Sequence, residues 1–127
     1  MESDKIISMK KPEKGFYYHY KHDPDRSVNN YSYEVISVGT HTETHEKFVI
    51  YRSLYQTETQ GGANYWLRPL EIFIEDVVRD GKTFPRFQKI TDPEIISELK
   101  IGSTIHFLIF SSRATNFLVR KYLHLDF

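Results

Sequence analysis

His19, His41, Glu43, Glu46, Tyr51, Arg52, Trp66, Arg68 and Arg86 are the residues of this chain whose types and order point to chemistry. Arginine grips carboxylate or phosphate with a two-pronged fork, and a tryptophan beside it offers an apolar platform. Together they predict a groove for a peptide or a small anionic ligand, with Trp66 and Arg68 at its centre. The same residues also fit an internal ion-pair network that fixes loops, and Arg52 with Glu43 suits that reading best. Another class of function is a small hydrolase- or lyase-type enzyme using His19 or His41 with Glu43 as acid and base. No nucleophile elbow or phosphate-binding glycine loop accompanies them, so the reading leans towards a non-catalytic module. His41-x-Glu43-x-His45 has metal-ligand residue types, but two histidines and one acid in a loop arise readily by chance, and no metal or cofactor is expected. A third class is a single-stranded nucleic-acid binder stacking bases on Tyr17, Tyr51 and Trp66.

Composition narrows these classes. Lys+Arg and Asp+Glu number 17 each in 127 residues, so the formal net charge is zero. Nucleic-acid binders normally carry a basic surplus that releases counterions, which makes that partner the least favoured. Cysteine is absent, which removes disulfides, thiolate metal sites and a thiol nucleophile. No apolar run reaches membrane-spanning length, and the start, MESDKIISMKK, has no signal-peptide core. The expectation is one soluble, cytoplasmic domain with no membrane partner.

The elements that must position the polar set are mostly short strands. Alternation predicts strands at Phe16–Lys21, Tyr31–Thr40 and Glu46–Tyr55, and a resumed strand at Tyr65–Leu67. In the third of these, Arg52 lies on the side of Phe48, Ile50 and Leu54, and such a charge needs a carboxylate; Glu43 and Glu71 are the candidates. Pro69 stops pairing, and one or two helical turns follow. Asp80-Gly81 satisfies the positive φ angles of a type I′ turn and predicts a tight hairpin. Gln56–Asn64, with Gly61-Gly62, reads as a mobile loop.

Thr91 and Glu94 stand at capping-box spacing around Pro93, predicting a helix to about Lys100 with Gly102 as its stop. Thr104–Phe110 and Phe117–Phe127 then read as a second hairpin, apolar enough to be extra core or a self-association surface. Many short strands with one late helix argue for a small β-barrel or roll.

Several blocks follow one pattern in order: Lys14-Gly15-Phe16-Tyr17-Tyr18-His19-Tyr20-Lys21, Tyr33-Glu34-Val35, His41-Thr42-Glu43-Thr44 with Glu46, and Val49-Ile50-Tyr51-Arg52 with Leu54-Tyr55. Trp66-Leu67-Arg68-Pro69-Leu70 with Phe73, and Asp80-Gly81-Lys82 with Pro85-Arg86-Phe87, complete it. The chain resembles the "domain of unknown function 1653" family of small, mostly bacterial proteins over about residues 14–88. That resemblance implies an SH3-type β-barrel and carries no established molecular function. The loop at 22–30 is longer than the family's usual link, and Gln56 stands where a glycine is common. The resulting expectation is mainly β: a flexible arm at 1–13, an SH3-like barrel at 14–90, and a helix plus β-hairpin at 91–127. Its expected role is a binding module for an unknown protein or small anionic ligand.

Overall fold

The computed structural model of the protein describes residues 11–55 and 65–111. The chain falls into two compact units, Met1–Thr91 and Asp92–Phe127.

In the first unit, β1 (Gly15–His19), β2 (Ser32–Thr40), β3 (Lys47–Ser53), β4 (Tyr65–Pro69) and β7 (Phe87–Lys89) form one antiparallel sheet in the order β4-β3-β2-β1-β7. A single helical turn, α1 (Leu70–Phe73), follows Pro69. β5 (Asp76–Arg79) and β6 (Lys82–Pro85) make a separate two-stranded ribbon. Its turn has Asp80 at φ 53° and Gly81 at φ 73°, the left-handed pair that a two-residue I′ hairpin requires.

The sheet is open among the described residues, since β4 and β7 are its unpaired edges; a closed SH3-type barrel is therefore not what the hydrogen bonds draw. It is nevertheless strongly curled. Strands lie about 4.8 Å apart, so β7 and β3, three intervals from one another, would be roughly 14 Å apart in a flat sheet. The rings of Phe87 on β7 and Tyr51 on β3 have centroids only 5.7 Å apart. The Arg68 guanidinium, from the opposite edge, also lies 5.7 Å from the Phe87 ring centre. Twist and coiling bring the two edges round the same side chain.

That side chain stands in the core formed by Tyr17, Val35, Val49, Tyr51, Leu70, Phe73 and Phe87. Phe73 from α1 stacks on Phe87 with centroids 4.1 Å apart and planes within 4°. Burying a ring of this size contributes about 2–3 kcal/mol, before the geometry-dependent gain from ring pairing.

A β-bulge between Val35 and Ser37 makes the core face continuous. Val35 and Val38 are three residues apart, which in regular alternation would place them on opposite faces. With Ile36 as the extra residue, Val35 pairs with Tyr51 and Val38 with Val49, so both lie over the core face. The bulge also brings Glu34 opposite Arg52.

Three expectations are corrected here. Arg52 does not break the buried face of β3: Val49 and Tyr51 form that face, and Arg52 lies on the outer one. Its partner is Glu34, with Nε 2.7 Å from the carboxylate, and neither Glu43 nor Glu71. Glu13 is held by the Tyr17 hydroxyl, which donates to its carbonyl (2.8 Å), and by Lys89, which pairs with its carboxylate; residues 1–10 of the expected arm lie outside the described residues.

The third correction concerns the second unit, where α2 runs without interruption from Pro93 to Ser111. Gly102 is not its stop, and Thr104–Phe110 is helix, not strand. The Asp92 side chain, rather than Thr91, accepts the Glu94 N–H (2.9 Å) at the helix start. The expected strand at Phe117–Phe127 and the loop at 56–64 lie outside the described residues. No helix among the described residues is long and apolar enough to cross a membrane.

Candidate functional site

At the His19 end of the curled sheet, side chains from five strands meet. β1 places His19 opposite Phe87 of β7 in the ladder, and the chain beyond it is held by a bond from the Tyr20 N–H to the Arg86 carbonyl (2.9 Å). The His19 ring lies edge-on to Phe87 with centroids 5.1 Å apart, and parallel to Tyr31 at 5.9 Å. Tyr31 enters β2 with φ 50°, a left-handed backbone that a bulky residue adopts only when its surroundings enforce it. Its carbonyl accepts the His19 N–H at 2.9 Å. Tyr33, Tyr51 and Tyr55 continue the wall: Tyr33 stands edge-on to Tyr51 and to Tyr55, and the Tyr33 and Tyr55 hydroxyls share a hydrogen bond.

Two arginines complete this cluster. Arg68, from edge strand β4, donates from Nε to the Tyr51 hydroxyl at 3.0 Å and lies over Phe87. No carboxylate pairs with it among the described residues. Arg86 sends Nη2 to within 3.7 Å of the Glu75 carboxylate, and its buried Nε has no hydrogen-bond partner. A buried N–H left unsatisfied costs about 1–3 kcal/mol.

The electrostatics follow from this arrangement. Burial, with the positive charges of Arg68, Lys21 and Arg86 nearby, lowers the His19 pKa to about 4. The imidazole is thus neutral near pH 7, and Nδ1, which accepts the Lys21 N–H (3.2 Å), leaves the proton on Nε2. Burial also raises the Tyr33 and Tyr55 pKa values, so both hydroxyls stay protonated. The cluster offers donors and positive potential, with Glu75 at its margin.

Not every residue singled out in the sequence joins this cluster. Trp66 pairs with Tyr51 in the ladder and packs, half-buried, against the core. Arg52 is on the outer face, engaged with Glu34. His41, Glu43 and Glu46 occupy the loop at the other end of β2, about 30 Å along that strand from His19. There the His41 Nδ1 accepts the N–H groups of Glu43 (3.2 Å) and Thr44 (3.1 Å). The same Nδ1 lies 3.4 Å from the Glu43 carboxylate. Among the described residues no group of three or more His, Asp or Glu side chains is arranged to hold a metal.

A family model described as "Protein of unknown function (DUF1653)" matches residues 15–89. The chain belongs to the DUF1653 family. That match spans the whole sheet and every member of the His19 cluster, and excludes α2. A crystal structure of a DUF1653 protein from Bordetella bronchiseptica is similar, with 29% identity and a TM-score of 0.51 over 67% of this chain and 97% of that one. No curated protein matches.

Tyr31, Tyr33 and Tyr55 were not among the site residues read from the sequence. Tyr33 stands in one of the blocks that resemble the DUF1653 pattern, which was a usable signal. Tyr55, with Leu54, also belongs to one of those blocks, and Tyr31 does not. The two sit just outside their strands and become neighbours through the β2–β3 register, in which Tyr33 faces Ser53.

Proposed function

We propose that this DUF1653 chain is a non-catalytic binding module that holds an anionic group between Arg68 and Arg86, against His19 and the tyrosine wall. The observation that carries the reading is the gathering of Arg68 and His19 on one ring, 5.7 Å and 5.1 Å from the centre of Phe87, with Arg86 the neighbouring residue in the chain. A carboxylate or phosphate oxygen beside the two guanidinium groups would offset their like-charge repulsion. The curl around Phe87 supports an SH3-like description of the scaffold, short of closure.

The other classes have less support. An acid–base enzyme built on His19 with Glu43 needs them within hydrogen-bond reach, and they stand at opposite ends of β2. His41 does come within 3.4 Å of Glu43, but in an exposed loop where its Nδ1 accepts two backbone N–H groups. Base stacking needs open rings, whereas Tyr17 and Tyr51 are 6% and 4% exposed.

The test is an NMR titration of His19 with inorganic phosphate at constant ionic strength, on the wild type, Arg68→Ala and Arg86→Ala. An anion beside the imidazole stabilises its charged form, so phosphate should raise the His19 pKa in the wild type and much less in either variant. A His19 titration indifferent to phosphate in the folded wild type would overturn the proposal.

A further inference from the structure

A separate cavity of about 450 Å³ opens at the Gly15–Lys89 end of the sheet, and none of His19, Arg68 or Arg86 lines it. Phe87 is the wall it has in common with the His19 cluster. Its aromatic side is the stacked Phe73–Phe87 pair with the edge of Tyr17, and Ile74 adds to the apolar surface. This volume lies within the range of small-molecule sites and accommodates a bicyclic ring with a short side chain.

Four charged side chains line the cavity, and they fall into two kinds. Glu13 and Lys89 are bound to each other, the carboxylate 2.5 Å from Nζ, and neutralise one another. Lys11 and Asp76 have no partner of opposite charge among the described residues, and both border the same space. A ligand with a single charge would satisfy one and oppose the other. A ligand carrying both an ammonium and a carboxylate matches the pair, and a flat ring on it matches the aromatic wall.

We propose that this cavity is a binding site for a small zwitterion bearing a flat ring, the chemistry of a free aromatic α-amino acid. The ammonium faces Asp76, the carboxylate faces Lys11, and the ring lies on the Phe73–Phe87 side. The site is independent of the anion site around Arg68 and Arg86. Solvent-exposed ion pairs contribute about 0.2–1 kcal/mol each, so each charge should strengthen binding by up to about fivefold and the whole interaction is weak.

The experiment compares tryptophan, tryptamine and 3-indolepropionate as probes of the full chain by amide chemical-shift titration. Tryptophan should bind more tightly than either analogue, with shifts centred on Tyr17, Phe73, Ile74 and Asp76. Asp76→Asn should abolish its advantage over 3-indolepropionate, and Lys11→Gln its advantage over tryptamine. Both positions are exposed, so the variants should fold. Equal binding of all three probes, no binding of any, or shifts centred on His19 and Arg68 would each overturn the proposal. The phosphate titration reads a different cluster, so either idea can fail alone.

Discussion

His19 gives a pH dependence that can be worked out from its surroundings. Its pKa is about 4 in the folded chain, against an ordinary value of 6.5. Between those values the unfolded chain binds the proton and the folded chain does not, so stability rises with pH across that window. Above pH 6.5 the ring is neutral in both states and contributes no slope. As pH falls from about 6.5 to about 4, the folded state loses stability relative to a residue that does not titrate, and below about 4 the loss levels off. The full difference corresponds to about 3 kcal/mol, but the ring is only half-buried and solvent screens it, leaving about 1–2 kcal/mol. The perturbation is His19→Gln, which keeps a polar side chain and removes the titration. Urea unfolding of both proteins at steps from about pH 7 to about pH 4.5 gives the difference in unfolding free energy, in which carboxylates common to both largely cancel. The wild type should lose about 1–2 kcal/mol more than the variant over that range. A difference that stays flat with pH would refute the placement of His19 among three positive charges.

Phe87→Leu should cost roughly 1–2 kcal/mol in denaturant unfolding, because the stacked and edge-on ring contacts go while most of the volume is kept. A double-mutant cycle on Glu34 and Arg52 should give a coupling of about 0.5–1 kcal/mol that shrinks with added salt, since both side chains are half-exposed. Gly81→Ala should destabilise the chain by roughly 1 kcal/mol through the left-handed backbone alone, as no atom lies within 4 Å of the added methyl. Gly81→Asn should cost less, because asparagine tolerates that region, and thermal unfolding would rank the three.

What the sequence made legible was local. Asp80-Gly81 announces its turn because few residue pairs tolerate two positive φ angles, and Pro69 announces the end of β4 because it lacks a donor. The partner of Arg52 was hidden because the bulge at Ile36 shifts the register. Extending the pairing of Thr40 with Lys47 without a bulge would have set Arg52 against Val35. Thr104–Phe110 was misread because a short apolar run carries no period that separates strand from helix, and Gly102 at a helical φ does not end one. The site was legible in part. Arg68, Arg86, His19 and Tyr51 stood out by type, and Arg52, His41 and Glu43 are set apart from them by strand face and by position along β2. The gathering of the first four round Phe87 depends on the curl, which is a property of the assembled sheet. Nothing in the sequence marked Lys11 and Asp76 as neighbours of one cavity.

The position of Phe87 has a consequence for the order of folding. The residue that holds both edges of the sheet comes from β7, the last strand of that sheet among the described residues, and its partners lie on β1, β2, β3, β4 and α1. A nascent chain that has reached β6 has its first hairpins but nothing to wrap them around. The curvature, the tyrosine wall and both candidate sites are therefore completed late, through contacts distant in sequence. Such contacts bear their loop-closure entropy before they stabilise anything, so this fold should form slowly for its size and in one cooperative step.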